Sequence, residues 1–248
     1  MTKLSVNVNK IATLRNARGQ DYPNLVRVSR DLIEFGAPGI TVHPRPDERH
    51  ITRQDVYDLK KMISDLPSPV EFNIEGYPSD DFTQLIEDIR PDQVTLVPDP
   101  PDVLTSNAGW QLEQNKDFLK SVLQTLNQAC PRVSLFVDAH SWNESERQAL
   151  KDIAPQRVEI YTESFAKAFH AGSADRVLET YRILADQVIE LGIELNAGHD
   201  LNLQNLGALI SAIPQIKEVS IGHALVTESL YQGFQTVIEG YNRILGKA

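Results

Sequence analysis

Asn7, His43, Asp138, Glu159, His199 and His223 stand in or just beyond short apolar runs scattered along the whole chain. Imidazoles exchange protons near neutral pH. A carboxyl drawn out of water rises towards the pKa of a useful general base. Gathered in one place, such residues would perform acid–base chemistry. Two of the histidines follow glycine, in Asn196-Ala197-Gly198-His199 and Ile221-Gly222-His223-Ala224. Glycine lets a ligand approach the backbone closely, and a helix that starts there offers N–H groups to a phosphate.

The segment His43-Pro44-Arg45-Pro46-Asp47-Glu48-Arg49-His50 adds two arginines to two histidines. Arginine meets phosphate oxygens in a bidentate fork. Asp47 and Glu48 can satisfy Arg49, so Arg49 reads as a solvated ion pair, and His43, Arg45 and His50 read as functional. Glu71 and Asn73 should share one strand face, with Phe72 and Ile74 on the other. Glu75 competes with Glu71 for an inward position, although Gly76-Tyr77-Pro78 after it reads as a turn. Glu159, with Glu163 beyond it, either orients a histidine or acts directly. Asp138 would line the mouth of the site, and His140 and His170 carry no assigned role. Lys10 reads as an electrostatic contact rather than a Schiff-base lysine. Cys130, the sole cysteine, admits no intrachain disulfide and reads as buried filler.

Something must bring these positions together. The runs at residues 4–8, 39–43, 70–74, 93–97, 133–137, 158–162, 193–196 and 219–223 are short and mostly β-branched or aromatic, as strands are. Helical spacing fills residues 53–66, 83–89, 114–129, 143–153, 174–191 and 225–245. Alternating strand and helix implies a parallel sheet. Eight repeats over 248 residues, with no Gly-rich loop after the first strand, favour a closed (β/α)₈ TIM barrel over an open doubly wound sheet. We expect a single α/β domain spanning residues 1–248, with its site where the strands end. Residues 13–23 and 99–109 read as long functional loops.

Composition narrows the partners. The net charge of −10 is spread, with no basic stripe, which argues against a nucleic-acid partner. No apolar stretch approaches the ~20 residues that cross a bilayer, and the N-terminus lacks a signal-peptide pattern, so the cytoplasm is the expected location. The acidic total does not exclude small phosphorylated substrates, which need only a few local donors such as backbone N–H groups at a helix N-terminus.

Five segments taken together resemble the pyridoxine 5′-phosphate synthase family. They are residues 6–19, Gly39-Ile40-Thr41-Val42-His43-Pro44-Arg45 with Arg49-His50-Ile51, Val94-Thr95-Leu96-Val97-Pro98, and the two glycine–histidine motifs. The resemblance implies a (β/α)₈ barrel with extra helices, assembled as a homo-octamer built from dimers. It implies a ring-closing transferase that condenses 1-deoxy-D-xylulose 5-phosphate with 3-amino-2-oxopropyl phosphate, with no cofactor and no metal. By motif, His43 and Glu71 correspond to proton acceptors and His199 to the proton donor. Asn7 and Arg18 correspond to contacts with the amino-ketone phosphate, Arg45, His50 and Thr105 to contacts with the pentulose phosphate, and Gly222 and His223 to a phosphate site. Asn9-Lys10 stands where many members carry Asp-His, and Asp200 where many carry Gly. We expect Lys10 to touch a carbonyl or phosphate oxygen, and Asp200 to offer its backbone N–H. Competing expectations are a metal-dependent barrel using His43, Glu71, Asp138, Glu159 and His199, and a phosphate-binding barrel without chemistry.

Overall fold

Every one of the eight apolar runs becomes a strand. The computed structural model describes residues 1–98 and 108–246. The strands are β1 (Lys3–Asn7), β2 (Gly39–Val42), β3 (Glu71–Gly76), β4 (Gln93–Leu96), β5 (Val133–Val137), β6 (Arg157–Tyr161), β7 (Glu194–Gly198) and β8 (Ile216–Ile221). They pair in sequence order, all parallel, and close into a barrel where β1 meets β8 with Val6 opposite Ile221. Helices α1 (Asn9–Asn16) and α2 (Leu25–Glu34) precede β2, and α3 (Arg53–Ser64), α4 (Asp80–Ile89), α5 (Leu112–Leu126) and α6 (Glu144–Ile153) follow singly. A pair, α7 (Glu163–His170) and α8 (Ala174–Glu190), precedes β7, then α9 (Leu206–Ala212), and α10 (His223–Gln232) and α11 (Phe234–Ile244) end the described chain.

Strand alternation explains the layers. Val6, Ile40, Ile74, Val94, Leu135, Ile160 and Val219 are fully buried and belong to the apolar layer between strands and helices. Each such side chain contributes roughly 1.5–3 kcal/mol of burial. The alternate positions point inward, and most of them are polar, Phe136 being the apolar exception on β5. Ser5 Oγ and Thr41 Oγ1 lie 2.6 Å apart, Asn73 Nδ2 donates to Thr41 Oγ1, and Thr95 Oγ1 reaches Asn73 Oδ1 at 3.2 Å and Glu159 Oε2 at 3.4 Å. Lower down, Arg157 Nη1 donates to Gln93 Oε1, and Gln93 Nε2 to Glu218 Oε1. Barrel interiors are usually filled by branched aliphatic side chains; here a hydrogen-bonded polar column occupies that place. It satisfies most of the buried groups that would otherwise be costly.

The helix boundaries follow local chemistry. Thr52 and Asp55 form a reciprocal capping box on α3, and Ser79 and Asn143 cap α4 and α6. Gly233, at φ +79°, splits the single helical stripe expected over residues 225–245 into α10 and α11. The loop expected at residues 13–23 is in part helix, because α1 continues to Asn16. Its polarity has a different cause, since Thr13 lines a cavity and Arg15 and Asn16 hold a neighbouring loop. The expected loop at 99–109 lies mostly outside the described residues. Cys130 is buried, which pushes its thiol up to about 11, as expected of filler.

Candidate active site

The strands end around a cavity of about 710 Å³ at the C-terminal mouth of the barrel. Asn7 at the end of β1 opens its wall. Its Oδ1 accepts the Asn9 N–H at 3.1 Å, and its Nδ2 lies 3.4 Å from Glu75 Oε2. Asn9 Oδ1 in turn accepts the His43 N–H at 3.0 Å, a contact that an amide makes as well as a carboxylate. Lys10, one residue on, is exposed at the rim.

His43 and Glu75 form the buried centre. Both are 6% exposed, and His43 Nδ1 lies 3.6 Å from Glu75 Oε2. Burial, reinforced by the positive charge of Arg45, holds the His43 imidazole well below its ordinary value, so the ring is neutral at neutral pH. Ser220 Oγ from β8 lies 3.4 Å from the other Glu75 oxygen. Across the barrel, Glu159 on β6 is 2% exposed. Burial first, then the charges of Glu75 and Glu218, push its carboxyl well above the usual range. Gly198 on β7 makes room for it: a Cβ there would lie 2.2 Å from Glu159 Oε1.

His199 follows with φ +74° and Asp200 with φ +54°, two consecutive non-glycine residues in the left-handed region. The Thr162 hydroxyl donates to the carbonyls of Gly198 and His199 and so ties this turn to β6. The His199 ring sits 5.1 Å from Phe136 and edge-on to Tyr161 at 5.3 Å. Gly222 closes the circle; a Cβ there would come within 3.0 Å of Asn7 Cβ. Helix α10 starts at His223 without a side-chain cap, which suits an anion. His50 also borders the cavity. Burial and the charges of Arg45, Lys10 and Arg49 lower it to about 4, and its Nδ1 accepts the Ile51 N–H at 2.9 Å.

Eleven of the residues singled out in the sequence thus meet at one cavity: Asn7, Asn9, Lys10, His43, Arg45, His50, Glu159, His199, Asp200, Gly222 and His223. Three do not. Glu71 is the first residue of β3 and pairs with Lys3, Arg132 and Arg157 at the N-terminal end of the barrel. Four residues of strand separate it from Glu75, roughly 13 Å, so Glu75 is the carboxylate at the mouth. β3 runs through Gly76, where a turn was expected. Arg18 is exposed in the turn after α1, away from the cavity. Asp138 is half-buried beside its own turn, where it accepts the His140 N–H at 2.9 Å. Thr105 lies outside the described residues. Arg49 pairs with Asp47 at 2.8 Å as expected, yet it also borders the cavity, as do Tyr161 and Ser220, which sequence reasoning passed over. Period-two counting from Glu159 and Gly222 would have found the last two.

With Glu71 and Asp138 elsewhere, the five-residue metal set is not assembled, and no cluster of His, Cys, Asp and Glu suited to a metal ion occurs among the described residues.

A closed (β/α)₈ barrel with a buried histidine held below its ordinary pKa, a buried carboxyl held above its own and an uncapped helix N-terminus at its mouth defines a barrel enzyme of acid–base type. The chain matches the family described as "Pyridoxal phosphate biosynthesis protein PdxJ" over residues 4–247, and it belongs to that family. It is 52% identical over 241 residues to the pyridoxine 5′-phosphate synthase of Porphyromonas gingivalis, covering 97% of this chain and 98% of the relative. To the synthase of Bacteroides thetaiotaomicron it is 51% identical over 245 residues, covering 99% and 100%. The solved 3-keto-L-gulonate-6-phosphate decarboxylase of Vibrio cholerae superimposes with a TM-score of 0.63 at 12% identity, covering 99% and 98%, a likeness of fold.

Proposed function

We propose that the protein is a pyridoxine 5′-phosphate synthase that condenses 1-deoxy-D-xylulose 5-phosphate with 3-amino-2-oxopropyl phosphate. The products are pyridoxine 5′-phosphate, inorganic phosphate and water. The observation that carries this reading is the convergence of His43, Glu75, Glu159 and His199 on one cavity, with basic residues at one side and the α10 N-terminus at the other. Two phosphorylated substrates need two anion sites, with proton-transfer groups between them.

The chemistry divides among those groups. The amine of one substrate attacks the ketone of the other, and the carbinolamine loses water to give an imine. The remaining steps remove C–H protons, expel inorganic phosphate from the pentulose-derived fragment, and close the ring, so that the product keeps the phosphate of the amino-ketone. Neutral His43 beside Glu75 is suited to accept protons. Glu159, whose buried carboxyl is held above the usual range, is suited to donate to a departing hydroxyl or steady a carbonyl oxygen, and His199 approaches from the β7 side as a second donor. Arg45 and His50 would hold the pentulose phosphate, Asn7, Gly222 and His223 the amino-ketone phosphate, and Lys10 an oxygen between them.

Phosphate binding, a cytoplasmic location and a homo-octamer built from dimers belong to the same proposal. Exposed Leu14, Tyr22, Leu230 and Tyr231 support a covering partner copy, which light scattering would test by mass. The function itself is tested by supplying each substrate alone and both together. Pyridoxine 5′-phosphate should form only with both, and a purified, folded protein that forms none would overturn the proposal.

A further inference from the structure

The loop between β2 and α3, which carries His43, Arg45 and His50, is fastened to α1 at two points. At the near point Asn9 Oδ1 accepts the His43 N–H. At the far point, 34 to 40 residues apart in sequence, Arg15 and Asn16 converge on the other end of the loop. Arg15 Nη1 lies 2.5 Å from Asp55 Oδ1 and Nη2 2.8 Å from Asp55 Oδ2, a bidentate pair. The same Nη2 donates to the His50 carbonyl at 3.2 Å, and Asn16 Nδ2 donates to it at 2.9 Å.

Asp55 is itself immobilised. Its Oδ2 accepts the Thr52 N–H at 2.7 Å, and its own N–H donates to Thr52 Oγ1 at 3.1 Å. The side chains of Arg15 and Asp55 are only 12% and 11% exposed, so water competes little for the pair. Burial pushes the Asp55 carboxyl up, but hydrogen bonds from Arg15 and Thr52 outweigh it and hold it below the usual carboxylate range. One residue beyond the clamped carbonyl, the Ile51 N–H donates to His50 Nδ1, and Ile51 is fully buried. In the neutral ring the hydrogen therefore sits on Nε2.

We propose that Arg15 is a positioning residue for the pentulose phosphate: through Asp55 and the His50 carbonyl it fixes the backbone that presents His50 Nε2–H to the cavity. This rests on the reading of His50 as a contact to that substrate. A lysine cannot replace the guanidinium, because one ammonium cannot grip both carboxylate oxygens in a fork while also holding the carbonyl.

The test is two-substrate steady-state kinetics on Arg15→Lys and on the pair Arg15→Met with Asp55→Asn, which removes both charges and leaves no buried ion uncompensated. The KM for the pentulose phosphate should rise about tenfold, with kcat and the KM for the amino-ketone phosphate within about twofold, as expected when a binding group is misplaced. His50→Ala should raise the same KM, and adding Arg15→Lys to His50→Ala should have no further effect, since the two act in series. If His50→Ala raises that KM while the Arg15 variants leave it unchanged, the positioning role is wrong and the site reading stands. If His50→Ala does not move it either, the site reading fails and takes the proposal with it. A rise in both KM values together with a fall in kcat, or additive effects in the combined variant, would mark Arg15 as a general structural residue and overturn the proposal.

Discussion

Replacing Gly198 with alanine tests how closely the site depends on the position of Glu159. The added Cβ would stand 2.2 Å from Glu159 Oε1, 3.2 Å from its Cδ and 3.5 Å from the Ser220 carbonyl. An ordinary carbon–oxygen contact needs roughly 3.3 Å, so the carboxyl must move by about 1 Å. The backbone itself imposes no obstacle, because Gly198 is not in the left-handed region. The colliding atom is the tip of a side chain, but that tip is buried against Thr95 and has little room to retreat. Overpacking of this kind costs about 1–3 kcal/mol, which in a domain of this size lowers the melting temperature by roughly 2–10 °C. A displacement of about 1 Å at a proton-transfer group should lower kcat by up to about 100-fold. The assay is kcat at saturation in both substrates, beside a thermal melt. Gly207→Ala is the control, since its Cβ would meet nothing nearer than Ile244 Cγ2 at 3.8 Å. A Gly198→Ala enzyme that is folded and retains kcat within about twofold would refute the assignment of Glu159 to the chemistry.

Other consequences follow from the same geometry. Glu75→Gln should lower kcat by about 100-fold or more with little effect on melting, whereas Glu71→Gln should lower the melting temperature by disturbing its pairs with Lys3, Arg132 and Arg157 and leave kcat near wild type. Kinetics and melts on the two variants decide between the carboxylates. Since the folded His43 sits well below 6.5, the acid limb of kcat/KM should fall below pH 6.5, and a limb at or above that value would contradict a buried neutral base. The same shift makes the unfolded chain bind protons first, so the contribution of His43 to stability is intact above 6.5 and declines as pH falls towards the folded value, which denaturant titration at stepped pH would follow. Lys10→Met should raise KM or lower kcat by about tenfold if the ammonium touches substrate oxygen, and unchanged constants would remove that role.

Strand positions were legible because β-branched runs are short and sharply bounded, yet several boundaries shifted, two of them for one reason. β8 begins at Ile216, before the apolar run, and β6 at Arg157, because Arg157 and Glu218 face a polar interior. A search for apolar strands misses residues whose burial is satisfied by hydrogen bonds to Gln93. Within β3, alternation put Glu71 and Glu75 on one face and parallel strands pointed the later one at the mouth, but Gly76-Tyr77-Pro78, read as a turn, hid that the strand continues past Glu75. Gly198 and Gly222 were legible as sites of close approach, although the neighbour at Gly198 is Glu159 from β6. The Arg15–Asp55 pair, 40 residues apart, left no local signature, because only barrel closure and the packing of α1 bring it together.

The most direct measurement is the stoichiometry of a complete turnover by the purified protein with both substrates, run in excess chelator. The account predicts one inorganic phosphate released for each pyridoxine 5′-phosphate formed, with both signals lost together in Glu75→Gln. Phosphate released without ring product, or activity that returns only when a divalent ion is restored, would contradict it.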